Sequence, residues 1–204
     1  MRNILSITAI VALCFVATAN ADTYTYGWED GGTVLGVFPD AEMICTNVSA
    51  PDPVHSGDYS LKCEDASPST TPQGYIAWIT GLQDGDTVTG SFWRYDVTPS
   101  ASPSCRIWGH WNDDPMDVMG YDGSASGNSD YGLGLGWDET SYTWNVSGHT
   151  GLVIEVRTYS NPGDTVWIDD LTVIVPAHAT VTFAPEPASI CVLALGALAL
   201  LRRR

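Results

Sequence analysis

The chain has 204 residues and carries 24 acidic side chains against eight lysines and arginines, a formal charge of −16 at pH 7. Such a field repels nucleic acids and anionic lipid surfaces, so DNA and RNA are excluded as partners. Between residues 22 and 187 the imbalance is sharper: all 24 acids lie there, and the cations are Lys62, Arg94, Arg106 and Arg157.

Residues 1–21 read as a removable signal peptide. Arg2 supplies the positive start, residues 4–18 a short apolar stretch, and Ala19-Asn20-Ala21 the small-x-small pattern cut by signal peptidase. The apolar stretch falls short of the roughly 20 residues that a membrane-spanning helix needs. The mature chain is therefore expected to begin at Asp22.

From residue 22 to 176 the sequence offers short runs rich in Val, Ile, Thr, Tyr and Trp, broken by Gly, Pro, Asn, Asp and Ser. Strands are expected over 23–29, 42–48, 58–64, 74–80, 87–97, 105–112, 142–146, 152–159 and 165–175, and no window has helical periodicity. In residues 152–157, Leu152, Ile154 and Val156 alternate with polar neighbours such as Glu155 and Arg157, the period-2 pattern of an antiparallel strand. Fold class follows: all-β, an antiparallel two-sheet sandwich (jelly roll).

Cys45 and Cys63 fall in neighbouring strand-like runs, and in an oxidising compartment they are candidates for a disulfide, which leaves Cys105 unpaired. No close C-x-x-C pair suggests a metal site. Residues 113–130, with Asp113, Asp114, Asp117, Asp122 and Asp130 among Gly, Ser and Met, read as a mobile, solvated loop, because the D-x-[DN]-x-[DN]-G spacing of a calcium loop is missing.

Residues 177–184 read as a linker to the tail. There, Pro185-Glu186-Pro187 precedes an apolar run over 188–201, expected to form a short hydrophobic helix, and the chain closes on Arg202-Arg203-Arg204. The prolines keep the motif extended, and the arginines hold the end on the cytoplasmic side. These parts, in this order, resemble the PEP-CTERM sorting signal of Gram-negative bacteria, also labelled an ice-binding protein C-terminal domain. The resemblance covers residues 185–204. It implies recognition by an exosortase, transient inner-membrane anchoring, and then life at the cell surface or in the extracellular matrix.

Four local patterns in the body occur in order: Gly27-Trp28-Glu29-Asp30-Gly31, Ser56-Gly57-Asp58-Tyr59-Ser60-Leu61-Lys62, residues 81–86 with Ser91-Phe92-Trp93, and Val166-Trp167-Ile168-Asp169-Asp170-Leu171-Thr172-Val173. Together they resemble the jelly rolls of carbohydrate-binding modules and galactose-binding-like domains. That resemblance implies a structural calcium held by Glu29, Ser56, Gly57, Asp169 and Asp170. Independently, apolar residues at 166 and 168 and then at 171, 173 and 175 switch parity across Asp169-Asp170, which a β-bulge would explain.

Sugar binding needs aromatic platforms beside hydrogen-bonding groups. Arg106, Trp108 and His110 alternate onto one strand face, Arg94 sits beside Trp93, and Arg157 shares a face with Glu155 and Tyr159. Trp93, Arg94, Arg106, Trp108, His110 and Arg157 are the candidate ligand-binding residues, although sandwich cores also use Trp. The four histidines stand apart from any G-x-S-x-G, H-E-x-x-H or phosphate-loop motif, so no enzyme is expected. Two readings remain: a module that binds extracellular polysaccharide, and a structural surface or biofilm-matrix protein without a sugar ligand. Exposure of Trp93, Trp108, Trp111, Trp137 or Trp144 on a concave face separates them.

Overall fold

The computed structural model describes residues 20–68, 70–97, 105–132, 135–158 and 162–184. All but the last two residues of the expected signal peptide, and the whole expected sorting segment with its helix and its motif Pro185, Glu186, Pro187, Arg202, Arg203 and Arg204, lie outside the described residues.

The described residues form twelve strands: β1 (Ala21–Tyr26), β2 (Gly36–Phe38), β3 (Met43–Ser49), β4 (Tyr59–Asp65), β5 (Gln73–Thr80), β6 (Thr87–Asp96), β7 (Arg106–Trp111), β8 (Gly123–Gly127), β9 (Gly136–Asn145), β10 (Gly151–Arg157), β11 (Thr165–Pro176) and β12 (Thr180–Thr182). They build two antiparallel sheets packed as a jelly-roll sandwich. The first has the order β3-β4-β11-β6-β9 with β1 added on β11; the second has the order β12-β5-β10-β7-β8 with β2 added on β5. Among the described residues no helix is long and apolar enough to cross a membrane.

Alternation builds the core. In β6, Val88, Phe92 and Arg94 point inward while Thr89, Trp93 and Tyr95 point outward. Phe92, Ile107, Trp144, Leu152, Ile154, Ile168 and Leu171 meet between the sheets, nearly all without exposure. Each such side chain stabilises the fold by roughly 1.5–3 kcal/mol relative to exposure. Trp28, also fully buried, follows β1 with φ at 59° and donates its indole N–H to the Thr33 carbonyl at 2.8 Å.

Three differences from the expected elements share one cause: a neighbour's register makes strands that composition does not announce. Gly-Ser-Ala-Ser-Gly forms β8 against β7, inside the expected mobile loop. The rest of that loop is ordered by its own aspartates, since Asp114 accepts the Met116 N–H, Asp117 that of Met119 and Asp122 that of Asp113. The expected linker 177–184 contains β12, which pairs with β5 through Thr180 and Thr80, and its Ala184 is buried. β9 begins six residues before its expected start, because it pairs with β6 along its whole length, from Thr87 opposite Asn145 to Asp96 opposite Gly136.

Cys45 and Cys63 are direct cross-strand partners, as the disulfide expectation requires, but they stand as free thiols with sulfurs 3.9 Å apart. A disulfide needs about 2.05 Å. The contact with Cys45, followed by burial, pushes the Cys63 thiol well up, and burial pushes Cys105 up to about 12. Both are held in the inert thiol form.

Candidate functional site

The outer face of the second sheet carries an open cleft. Register places Glu155 of β10 between Tyr75 of β5 and Trp108 of β7, and Arg157 between Gln73 and Arg106. The 113–122 loop supplies a wall with Met119 and Tyr121, and β2 supplies another with Phe38. The resulting cavity of about 550 Å3 is lined by Phe38, Gln73, Tyr75, Met119, Tyr121, Ser124 and Arg157, a size suited to small ligands. Phe38 and Tyr121 are 52% and 65% exposed, high for such large apolar groups. Gly36 keeps the walls together, since a Cβ there would collide with Met119 and crowd Tyr75.

Below the cleft runs a polar chain. The Arg157 Nε–H donates to Glu155 Oε2 at 2.5 Å, Glu155 Oε1 meets His110 Nδ1 at 2.5 Å, and His110 Nε2 meets the Gly120 carbonyl at 3.2 Å. Glu155 and His110 are fully buried. The expectation that His110 faces a ligand is therefore corrected: its ring lies beneath Tyr75 and Tyr121 and holds Glu155 instead. Burial, followed by the neighbouring Glu155 charge, pushes the Tyr75 hydroxyl up to about 12, so it stays a neutral donor at physiological pH. Trp108 donates its indole N–H to Ser124 at 3.1 Å, and the guanidinium carbons of Arg106 and Arg157 lie 4.4 and 4.8 Å from its ring centre.

Trp93 and Arg94 lie elsewhere. As neighbours in β6 they point to opposite faces of the first sheet, so they share neither a surface with each other nor one with Trp108. Arg94 is fully buried and bonds to both oxygens of Asp138, to the side chain and carbonyl of Asp130, and to the Cys105 carbonyl. Burial alone would lower its pKa, but Asp138 first, and other neighbouring groups after it, hold it above its ordinary value. Arg94 is a core ion-pair hub and no ligand-binding group. Trp93 stacks on His55 at 4.1 Å; Trp137 meets that imidazole edge-on and Tyr95 in turn. Tyr95 also meets Trp167, under the Lys62 ammonium. Of the other tryptophans singled out, Trp144 is core and Trp111 stacks on His149.

The five residues of the calcium expectation do converge. The parity switch is a bulge, with pairing interrupted between Asp169 and Thr172 and Asp170 at φ 49°. A Cβ on Gly27 would lie within 4 Å of carboxylate oxygens from both Asp169 and Asp170 and of the Glu29 side chain. Gly57, at φ 69°, leaves room for the Glu29 carboxylate. The donors on these residues are oxygens, the ligand type that calcium takes. As arranged, the oxygens accept N–H and O–H groups: Glu29 from Asp58 and Tyr59, Asp169 from His55, Ser56 and Asp170, and Asp170 from Ser56 Oγ at 2.6 Å. His55 Nδ1 lies 2.6 Å from the other Asp170 oxygen. Among the described residues no three His, Cys, Asp or Glu stand in a ligand arrangement. Burial raises the Asp169 carboxyl against these amide bonds, leaving it above its usual range.

Sequence reasoning missed Phe38, Gln73, Tyr75, Met119, Tyr121 and Ser124. One signal was present: Met119 and Tyr121 are large apolar groups in an otherwise acidic, glycine-rich loop, although Met116 in the same loop is exposed and lines no cleft.

No known family and no curated protein matches the sequence. Among solved structures, the CBM22-1 xylan-binding domain from Paenibacillus barcinonensis Xyn10C matches with a TM-score of 0.51 and 12% identity over 78% of this chain and 98% of that one. The CBM22-1-CBM22-2 tandem of the same protein matches with a TM-score of 0.52 and 15% identity over 85% of this chain and 49% of that one. TmCBM61, solved with β-1,4-galactotriose, matches at a TM-score of 0.44 and 17% identity, over 72% of this chain and 92% of that one. The first two likenesses show the fold alone: the chain has a jelly roll like that of the CBM22-1 domain.

Proposed function

We propose that the protein is a non-catalytic carbohydrate-binding module, exported through its signal peptide and sorted by its PEP-CTERM tail to the surface or extracellular matrix of a Gram-negative bacterium. The observation that carries the sugar reading is the open cleft on the second sheet. Tyr121 and Phe38 offer aromatic surface to the apolar C–H faces of a sugar, while Gln73, Ser124, Tyr75 and Arg157 offer hydrogen bonds to its hydroxyls. Glu155 and His110 fix the Arg157 side chain before ligand arrives, which reduces the entropy lost on binding. Glycoside hydrolysis needs two carboxyl groups roughly 5 to 10 Å apart. The cleft lining contains neither Asp nor Glu, and both oxygens of Glu155 are engaged below it, which supports a binding role.

Calcium, in this reading, is a structural ion for which Glu29, Asp169 and Asp170, with Ser56 and Gly57, would exchange their present N–H and O–H partners, and it would supply charge neutralisation to the three carboxylates. It takes no part in sugar contact.

Affinity electrophoresis of the purified protein against a panel of soluble polysaccharides tests the sugar reading. At least one polysaccharide retards the wild type, and Tyr121→Ala and Arg157→Ala lose that retardation while keeping native near-UV circular dichroism. If none retards it, the structural-matrix reading replaces this one. Sorting has its own test: replacing Pro185-Glu186-Pro187 by alanines leaves an unprocessed precursor by intact mass, and normal processing of that variant sinks the sorting assignment.

A further inference from the structure

Arg106 is an unusual cation for so acidic a chain. Among the described residues it forms no ion pair, and its Nε is buried without a hydrogen-bond partner. The internal segments outside the described residues (69, 98–104, 133–134 and 159–161) contain no Asp or Glu at all. The direct cross-strand partner of Arg106 is another arginine, Arg157. Arg157 uses its Nε–H on Glu155 and turns its terminal nitrogens to no described carboxylate. Both guanidiniums rest on Trp108, and Arg106 also lies 4.8 Å from the Tyr131 ring centre.

Such a pair works against stability. Like charges directly opposite weaken a strand ladder, and a buried guanidinium N–H without an acceptor keeps its desolvation cost uncompensated. Arg94 shows that this chain can complete an arginine with its own carboxylates; Arg106 and Arg157 are left incomplete beside the open cleft, whose lining includes Arg157 and the Ser124 that anchors Trp108. A planar guanidinium fork matches a carboxylate or sulfate group, and the aromatic rings hold that fork in place.

We infer that Arg106 and Arg157 form an anion subsite at the end of the cleft, so that the bound polysaccharide is acidic, carrying carboxylate or sulfate groups on the sugar seated there. The inference rests on the sugar-binding reading of the cleft and specifies its ligand class. An incoming anion accepts from the terminal nitrogens of Arg106 and Arg157, which meet no carboxylate among the described residues, and screens the two positive charges from each other. The net charge of the protein opposes polyanions at long range, so discrimination comes from contact geometry.

Matched polymers test this in the purified protein: polygalacturonate against its fully methyl-esterified form, and a sulfated galactan against the unsulfated galactan. In the wild type, at least one charged polymer binds tenfold or more tightly than its neutral counterpart, and the pair showing the larger ratio tells carboxylate from sulfate. Arg106→Gln reduces that ratio to near one; Arg106→Lys, which keeps the charge and loses the fork, falls between. Binding of neutral polymers with no charge preference overturns the anion subsite and leaves the sugar reading standing. Binding of none of the four overturns the subsite, and with no retardation by the panel of soluble polysaccharides the sugar reading falls as well. The wild-type ratio needs no variant, so a misfolded Arg106→Gln would not protect the inference.

Discussion

The outer faces of the two sheets carry similar residues and use them in opposite ways. On the first sheet, Trp93 stacks on His55, Trp137 meets His55 and Tyr95 edge-on, Tyr95 meets Trp167 edge-on, and Lys62 and Asp52 close the cluster. On the second, Tyr121 and Phe38 stand open around a cavity, and Trp108 is backed by two arginines. Aromatic content does not distinguish a binding face from a packing face. What does is whether the rings and charges are already satisfied by the chain.

The arginines sharpen the contrast most. Arg94→Ala removes the donors of two carbonyls and two carboxylates from the core and should cost about 3 kcal/mol or more. At roughly 2–4 °C per kcal/mol for a protein of this size, the melting temperature falls by about 10 °C, with sugar affinity of the folded fraction unchanged. Arg106→Gln should leave stability unchanged or slightly raised. A calorimetric scan in which Arg106→Gln melts far below wild type would erase the distinction.

Next comes the acidic cluster, which borders the first face because His55 connects Asp170 to Trp93. Calcium at a hundredfold excess over Kd stabilises by about 2.7 kcal/mol, so chelation should lower the melting temperature by several degrees in wild type and not in Asp169→Ala or Glu29→Ala. Identical curves with and without chelator would mean that the amide and hydroxyl donors alone satisfy the cluster. A paired substitution follows: Trp93→Ala should cost about 2 kcal/mol of stability and no affinity, whereas Tyr121→Ala should cost about tenfold in affinity, some 1.4 kcal/mol, and little stability. Denaturant melts alongside binding assays check both.

How much of this was legible follows strand geometry. The parity switch at Asp169-Asp170 announced its bulge, and the run over 87–97 announced β6 with its alternating pattern unread. The same alternation puts consecutive residues on opposite faces, so grouping Trp93 with Arg94 was an error that the sequence itself could have corrected. The burial of His110 could not be read, because Tyr75, Tyr121 and Gly120 are brought over it by the fold. Nor could β8, whose Gly-Ser-Ala-Ser-Gly has no strand character until β7 supplies hydrogen bonds.

The smallest effect concerns acid. The Thr150 N–H and His149 outweigh burial and hold the Asp113 carboxyl below its usual range; the Gly132 N–H, with Arg94, does the same for Asp130. Lowered folded pKa values mean stability that is complete above the unfolded value, about 3.9, and lost as pH falls through the folded values. Asp113→Asn and Asp130→Asn should each flatten the decline of stability below about pH 4, by no more than about 1 kcal/mol for such solvent-screened groups. Asp113 also ties the base of the Met119 and Tyr121 loop to Thr150, so its substitution should loosen the cleft wall while Asp130→Asn does not. An unchanged acid limb in both variants would contradict the pairing.

The tryptophan indole N–H resonances offer the most direct test of the two-face account, since eight indoles report from both faces and the core in one spectrum. Titrating the protein with a polysaccharide that retards it in affinity electrophoresis should shift Trp108 and leave Trp93, Trp137 and Trp167 in place. Shifts confined to Trp93 and Trp137, with Trp108 unmoved, would put the binding surface on the wrong sheet and contradict the account.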